Sequence, residues 1–340
     1  MIIGYNGGMK KKKLVIIGAG LSGLVSAVLL QDRYDVRIIE ARDRTGGRIM
    51  GRDGHDMGPS WVWPHQKNIL KLIETLELEL FSQYTQGLAS YDAPDGVQHF
   101  RPSQTVPSFR IRGGITQMIM ALEKRLETPV NLNEKVLSLT QSNEKIAVKT
   151  TEKTYEADKV ISTLPPRLAV ESIVYAPALP QALHTQMQKI PTWMGYAAKC
   201  VIEYPDAFWR EEGFSGFAIS HLGPLGEIHD ACTQDKAALF GFVHSHTKYE
   251  NLQEDIIQQL TRLYGRKAAN PSKFHLVDWK KEPYTSTHLD SMPLREHPSY
   301  GFSATHFDDR LVFSGTESAF GEGGYLEGAV TSALESVKNL

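Results

Sequence analysis

The sequence predicts an α/β fold in which a Rossmann-like domain is interleaved with a second, mixed-sheet domain. Three observations carry this. A strand, glycine turn, helix and second strand open the chain over residues 13–40. A further strand running into a glycine-rich helix start closes it over residues 310–338. The 340 residues suffice for about two domains at roughly 100–200 residues each.

The elements follow in order. Lys13–Ile17 is a short apolar run ending at Gly18, the pattern of a strand buried on both faces. Ser22–Arg33 has helical length, and Val36–Ile39 is a second apolar run ending in Glu40. Between strand and helix, Gly18, Gly20 and Gly23 form G-x-G-x-x-G. Gly18 permits the tight turn, Gly20 lets backbone approach a pyrophosphate, and Gly23 lets helix and strand pack closely. Leu21 and Ser22 open the helix, whose free N–H groups and partial positive charge suit phosphate. Glu40 follows Gly18 by 22 positions, about where an acid meets a ribose hydroxyl. A carboxylate there repels a 2′-phosphate, so NADP is disfavoured and NAD or FAD remains.

Further along, Asn68–Leu80 reads as an amphipathic helix and Val97–Phe100 as a strand after the Asp95-Gly96 turn. Ile115–Leu126 is a helix, Lys135–Leu139 with Ile146–Thr150 a hairpin, and Lys159–Thr163 a strand stopped by Pro165-Pro166. Trp193–Tyr204 reads as one long strand. Its period of two puts Lys199 among Gly195, Ala197, Val201 and Glu203, facing a partly dry space.

Composition excludes several classes. Lys+Arg is 37 against 39 Asp+Glu, a net charge of −2, which argues against nucleic-acid binding driven by bulk charge. Hydrophobic residues at 41% and charged residues at 22% exclude wholesale disorder. Cys200 and Cys232 are the two cysteines and neither lies in CxxC, so no disulfide framework or cysteine-built zinc site is expected, and a reduced, cytoplasmic setting is. His244-x-His246 lacks a third ligand nearby, and no metal is expected. Leu14–Leu30 carries no charge and follows Lys10–Lys13, imitating a signal or membrane segment, but its glycines and serines suit the turn better. Met9 resembles a natural start, with residues 1–8 a dispensable leader; no apolar tail follows the last helix, and no membrane anchor is expected.

The stretch Glu40-Ala41-Arg42-Asp43-Arg44-Thr45-Gly46-Gly47-Arg48 adds a second glycine pair and cationic forks beside the same phosphates. Here the chain resembles the flavin-containing amine oxidase family, which implies a FAD-binding domain of the glutathione-reductase type. The resemblance extends to Asp56-Met57-Gly58-Pro59-Ser60-Trp61-Val62, to the Gly113-Gly114 helix start, and to Ile161–Pro166 with Thr163. It extends also to Phe313-Ser314-Gly315-Thr316-Glu317 and Gly323-Gly324-Tyr325-Leu326-Glu327. It implies that Glu40, Ala41, Arg42, Gly47, Arg48, the Gly58–Trp61 segment, Val136, Trp279, Gly315–Glu317 and Gly324–Leu326 hold the cofactor, with Val136 meeting the adenine.

The same resemblance implies roles at the reacting centre. Lys199, in Met194–Cys200, would hold a water near flavin N5 and favour reoxidation by oxygen. Tyr325 would form one wall of an aromatic cage guiding the amine. Counting forward from Trp279 puts Leu289 at the second wall; counting back from Gly315 puts Tyr300 there. The family's attachment cysteine is replaced by His288 or Ser299, so FAD should be non-covalent. No arginine occurs over 58–64 to clamp an amino-acid carboxylate, and Trp63 stands where plant-type polyamine oxidases have a glutamate, which suits a monoamine.

Only Phe81–Arg110 fills the interval where larger members carry a helical insertion. The expected domains are therefore 9–80, 112–188 and 282–340 for FAD, and 81–111 with 189–281 for substrate. The implied reaction is hydride transfer from the α carbon of an amine to flavin N5, hydrolysis of the imine, and reduction of dioxygen to hydrogen peroxide. Two alternatives stay open: a flavin dehydrogenase or desaturase with another acceptor, and a flavin-containing binding protein completed by a partner.

Overall fold

The computed structural model describes residues 11–102, 106–245 and 247–340. The leader over 1–8, Met9 and His246 lie outside the described residues.

Lys12–Ile17 lies inside a five-stranded sheet, flanked by Tyr34–Ile39 and Lys159–Ser162, both parallel to it. Leu311–Phe313 continues the parallel order, and Thr305–His306 closes the edge antiparallel. Leu14 and Ile16 face a helical layer containing Leu21–Leu30, Thr116–Glu123 and Leu326–Lys338. Val15 and Ile17 face a four-stranded sheet that includes Val136–Ser142 and Lys145–Thr150. Burial on both faces explains the unbroken apolar run.

A seven-stranded sheet takes strands from two distant stretches, in the order 273–278, 198–204, 237–243, 225–230, 214–220, 88–93, 96–100. All its pairs are antiparallel except Phe214–Ser220 with Leu88–Ala93. One face packs on the helix Leu252–Tyr264. The other meets Met57 and Trp279.

Several elements differ from expectation. The strand expected over 193–204 is confined to Ala198–Tyr204. Met194 takes a left-handed φ of 58°, and a Cβ on Gly195 would lie 2.8 Å from Ser286 Oγ, so residues 193–197 turn rather than extend. The helix expected over 68–80 is Lys67–Thr75. It stops before Glu77, whose φ is 58°, and Leu80–Ser82 then pairs with Phe109–Ile111. The expected helix over 115–126 is Thr116–Glu123. His244 follows the strand Ala237–Val243 instead of lying within it. Among the described residues the interval 83–110 contains strands and no helix, and no helix among them is long and apolar enough to cross a membrane.

A Cβ on Gly23 would sit 2.0 Å from Gly18 O and 3.4 Å from Ile16 Cγ2. Gly23→Ala should therefore force the first helix off its strand, lowering the free energy of unfolding in urea by about 2 kcal/mol.

Candidate active site

The first glycine turn is locked into the sheet. Gly18, at φ 100°, donates its N–H to Ile39 O at 2.8 Å, and Gly46 N–H donates to Ala19 O at 2.8 Å. Gly20 is extended, no side chain caps the helix that follows, and nothing lies within 4 Å of a Cβ placed on it. A cradle of backbone N–H groups is thus left open, which fits a pyrophosphate. A Cβ on Gly47 would come 3.3 Å from Gly20 Cα, so the second glycine pair packs directly on the first. Arg44 ties that pair down by donating to the carbonyls of Thr45, Gly47 and Ile49.

The carboxy-terminal turn meets the same place. Ser22 Oγ lies 3.0 Å from Ser314 Oγ, which lies 3.0 Å from Ser332 Oγ; Gly315 N–H donates to Ser332 Oγ at 2.9 Å. Thr163 Oγ1 donates to Ile17 O at 2.8 Å, and Thr316 Oγ1 to Tyr325 O at 2.6 Å. Leu21 and Leu326, each first in its helix, are buried in the shared core. A Cβ on Gly324 would lie 2.7 Å from Trp193, so the turn before Tyr325 admits only glycine without rearrangement.

Glu40 is buried and engaged. One carboxylate oxygen accepts Ala19 N–H and the other Arg42 N–H, each at 2.9 Å. Gly18, Glu40, Ala41, Arg42 and Val136 line one cavity, with Glu134, Leu164 and Tyr284, which the sequence had not marked. The Arg42 side chain reaches Thr285 Oγ1 at 2.7 Å and Glu282 at 3.4 Å, so it braces the 282–285 loop as well as the turn.

Arg48 and Glu317 form a two-point ion pair at 2.6 and 2.9 Å. Glu317 is 1% exposed and the Arg48 side chain 25%. Burial works against the cation, but Glu317 more than offsets it and holds the guanidinium above its ordinary pKa. Arg48 also donates to Trp193 O at 3.2 Å, and Trp193 N–H donates to Glu317 at 3.3 Å.

Lys199 is 2% exposed. Its Nζ donates to Gly58 O at 2.9 Å and Ser60 Oγ at 2.6 Å, on either side of Pro59, and sits 4.2 Å from the Phe240 ring centroid. Burial pulls its pKa down to about 7, against the opposing pull of Asp56 and with the added push of Arg110. Asp56 is the functional candidate that sequence reasoning missed. It is buried, accepts Ile115 N–H at 2.8 Å through one oxygen, and is raised in pKa by burial, against Lys199 and Arg110. A carboxylate in the otherwise uncharged Met57–Pro64 neighbourhood was the available signal. Trp279 Nε1 donates to Met57 O at 3.2 Å, and a Cβ on Gly58 would lie 2.0 Å from Arg48 O.

Tyr325 is flanked by Trp63 at 5.8 Å, edge-on, and by Trp193 at 6.0 Å; His297 lies parallel to it at 5.1 Å and 1°. Tyr300 reaches this group through His297, at 5.4 Å edge-on, and its hydroxyl donates to Pro191 O at 2.9 Å. Leu289 is exposed in a short turn, and the His288 side chain points to Glu171 at 3.8 Å. The parallel ring beside Tyr325 is thus His297, not either residue reached by counting. Trp61 packs 5.3 Å from Phe240 and donates to Gln83 Oε1 at 2.8 Å. Gln83 in turn lines an open cleft with Phe81, Arg110, Arg210 and Asp230.

Two glycine-rich turns converging on one cradle, a ribose-type acid and a buried lysine beside aromatic rings define a dinucleotide-dependent oxidoreductase. Residues 89–340 match the model of flavin containing amine oxidoreductases, and residues 16–76 that of an NAD(P)-binding Rossmann-like domain. The chain belongs to the flavin-containing amine oxidoreductase family; it is a flavin enzyme whose cofactor is FAD. It is 24% identical to amine oxidase [flavin-containing] B of Mus musculus, covering 97% of this chain and 86% of that one. It is 30% identical to a probable flavin-containing monoamine oxidase A of Dictyostelium discoideum, covering 68% and 53%. The mouse alignment runs over 451 positions, so at least 451 − 340 = 111 are gaps in this chain. Its fold is similar to that of putrescine oxidase (TM-score 0.83, 21% identity, 96% of this chain and 98% of that one). It is similar also to cyclohexylamine oxidase from Brevibacterium oxydans (0.82, 18%, 96% and 98%).

Gly20→Ala separates binding from folding. With free space at the Cβ, stability should change by under about 1 kcal/mol. FAD affinity should fall about tenfold or more, because the methyl group enters the pyrophosphate cradle. Urea unfolding of the FAD-free chain and titration with FAD measure the two effects.

Proposed function

We propose that this enzyme oxidises a small aromatic or aliphatic monoamine with dioxygen as electron acceptor. The observation that carries the reading is Lys199: a buried lysine held by Gly58 O and Ser60 Oγ, three residues before Trp63, which packs with Tyr325 in an aromatic cluster that Trp193 joins. Gly18–Gly23, Glu40, Val136 and Gly315–Leu326 would hold FAD non-covalently, and the bound flavin would supply a two-electron oxidation at the carbon next to nitrogen, with dioxygen reduced to hydrogen peroxide as the final acceptor. The imine leaves and hydrolyses to an aldehyde or ketone with ammonia or a smaller amine.

The chain's own residues bind and orient. Aromatic faces at Tyr325, Trp63 and Trp193 favour the amine nitrogen through ring electrostatics. Tyr325 itself stays protonated, its phenol raised in pKa by burial and by the Glu322 carboxylate. Lys199 holds a water and places a cation where negative charge develops on oxygen. The division into FAD segments 9–80, 112–188 and 282–340 and substrate segments 81–111 and 189–281 belongs to the same proposal. The cleft beside Gln83 favours a second reading, in which a partner protein completes the cavity.

Anaerobic mixing of the FAD-loaded enzyme with aryl, alkyl, poly- and amino-acid amines tests the proposal. Bleaching by a monoamine, with colour and peroxide returning in air, is the expected result. A flavin that no amine bleaches, with a stable co-purifying protein, would select the second reading.

Lys199 carries its charge below about pH 7 and loses it above. Reoxidation of the reduced enzyme by oxygen, followed by stopped flow, should therefore slow as pH rises through the lysine pKa. Lys199→Met should flatten that profile and slow reoxidation about 100-fold.

A further inference from the structure

A second polar cluster lies at the far end of the strand that carries Lys199. Glu203, four residues on, is 7% exposed, and its Oε1 lies 2.9 Å from His275 Nε2 and 3.2 Å from His55 Nε2. Asp53 Oδ2 lies 4.0 Å from His275 Nε2. The ligand atoms of Asp53, Glu203 and His275 all fall within 4.8 Å of one another. His55 is the independent observation. It is 1% exposed, and neither ring nitrogen makes a hydrogen bond; Nε2 faces Glu203 Oε1 without the alignment of one. A buried imidazole whose ring nitrogens make no hydrogen bond costs free energy unless something else satisfies them.

We propose that Asp53, Glu203 and His275 form a site for a divalent transition ion of the zinc type, with the buried His55 ring set against the Glu203 carboxylate. An imidazole with two carboxylates is a donor set that zinc takes. Glu203 Oε1 and His275 Nε2 stand 2.9 Å apart and Asp53 Oδ2 lies 4.0 Å from His275 Nε2, on either side of the edge of about 3.3 Å expected for a tetrahedron with bonds of about 2.0–2.1 Å. Lys273 pairs with Asp53 at 2.6 Å and Lys236 with Glu203 at 3.5 Å. Both ammonium groups are at the surface, where such pairs contribute little, so the ion can displace them.

Asp53 and His55 flank the turn between Gly51–Arg52 and His55–Asp56, whereas Glu203 and His275 sit on neighbouring strands of the seven-stranded sheet. The ion would clamp the hairpin leading to Asp56, Gly58 and Ser60 against the strand bearing Lys199. Ligands drawn from positions 53, 203 and 275 share no local spacing, which is why the sequence pointed to no metal.

The test is calorimetric titration of the FAD-loaded full chain with zinc chloride, after treatment with EDTA and dialysis. One ion per chain should bind with micromolar affinity, and Glu203→Gln and His275→Gln should each weaken binding about 100-fold. His275→Gln, at the partly exposed ligand, keeps the test usable where a change at buried Glu203 prevents folding; retained flavin absorbance certifies each variant. His244→Gln should bind as the parent does. Absence of saturable binding, or equal affinity in the parent and in both ligand variants, overturns the proposal.

Discussion

The ion pair between Arg48 and Glu317 is the constraint on which the rest of the site depends. It joins residues 269 positions apart, one just after Gly46-Gly47 and the other just after Gly315. Both partners also bind Trp193 through its backbone, which fixes the loop that packs on Gly324 and flanks Tyr325. One charge pair thus joins the two turns and holds the Trp193 backbone beside Tyr325. Because Glu317 is nearly inaccessible, removing the arginine leaves a buried carboxylate without compensation, a loss of about 3–5 kcal/mol in comparable cases.

The second constraint is the burial of Lys199. A lone ammonium in an apolar sheet face is costly, and the structure offsets this with two oxygen acceptors, the Phe240 ring and, further off, Asp56. The offset is partial, which is why the lysine titrates near neutrality. A cation poised near pH 7 can hold or release a proton at modest cost. The neighbouring Gly58–Trp61 segment is bent close to Arg48, so the lysine's acceptors are themselves positioned by the first constraint.

Much of this was legible in the sequence because it is local. Gly18, Gly20, Gly23 and Glu40 lie within one strand–helix–strand unit, and their spacing reports their geometry directly. Period two along Ala198–Tyr204 correctly turned Lys199 inward. The same alternation failed over Trp193–Ala197, because periodicity does not sense the left-handed turn at Met194 or the close approach of Ser286 to Gly195. The helix ending at Thr75 was read too long for a like reason: Leu80–Ser82 is extended by its partner strand 29 residues away, a tertiary effect. His297 beside Tyr325, and His55 beside Glu203, come from loops and turns whose meeting depends on the whole fold. Counting along the chain from Trp279 or Gly315 could not find them.

The most direct test of the central constraint is a double-mutant cycle on FAD binding with Arg48→Met, Glu317→Gln and the pair together. If the ion pair organises the cradle, each single change weakens FAD binding strongly and the double variant binds no worse than the weaker single one, because the second change removes nothing further. Strictly additive losses would contradict the account and show that Arg48 and Glu317 act on the cofactor independently.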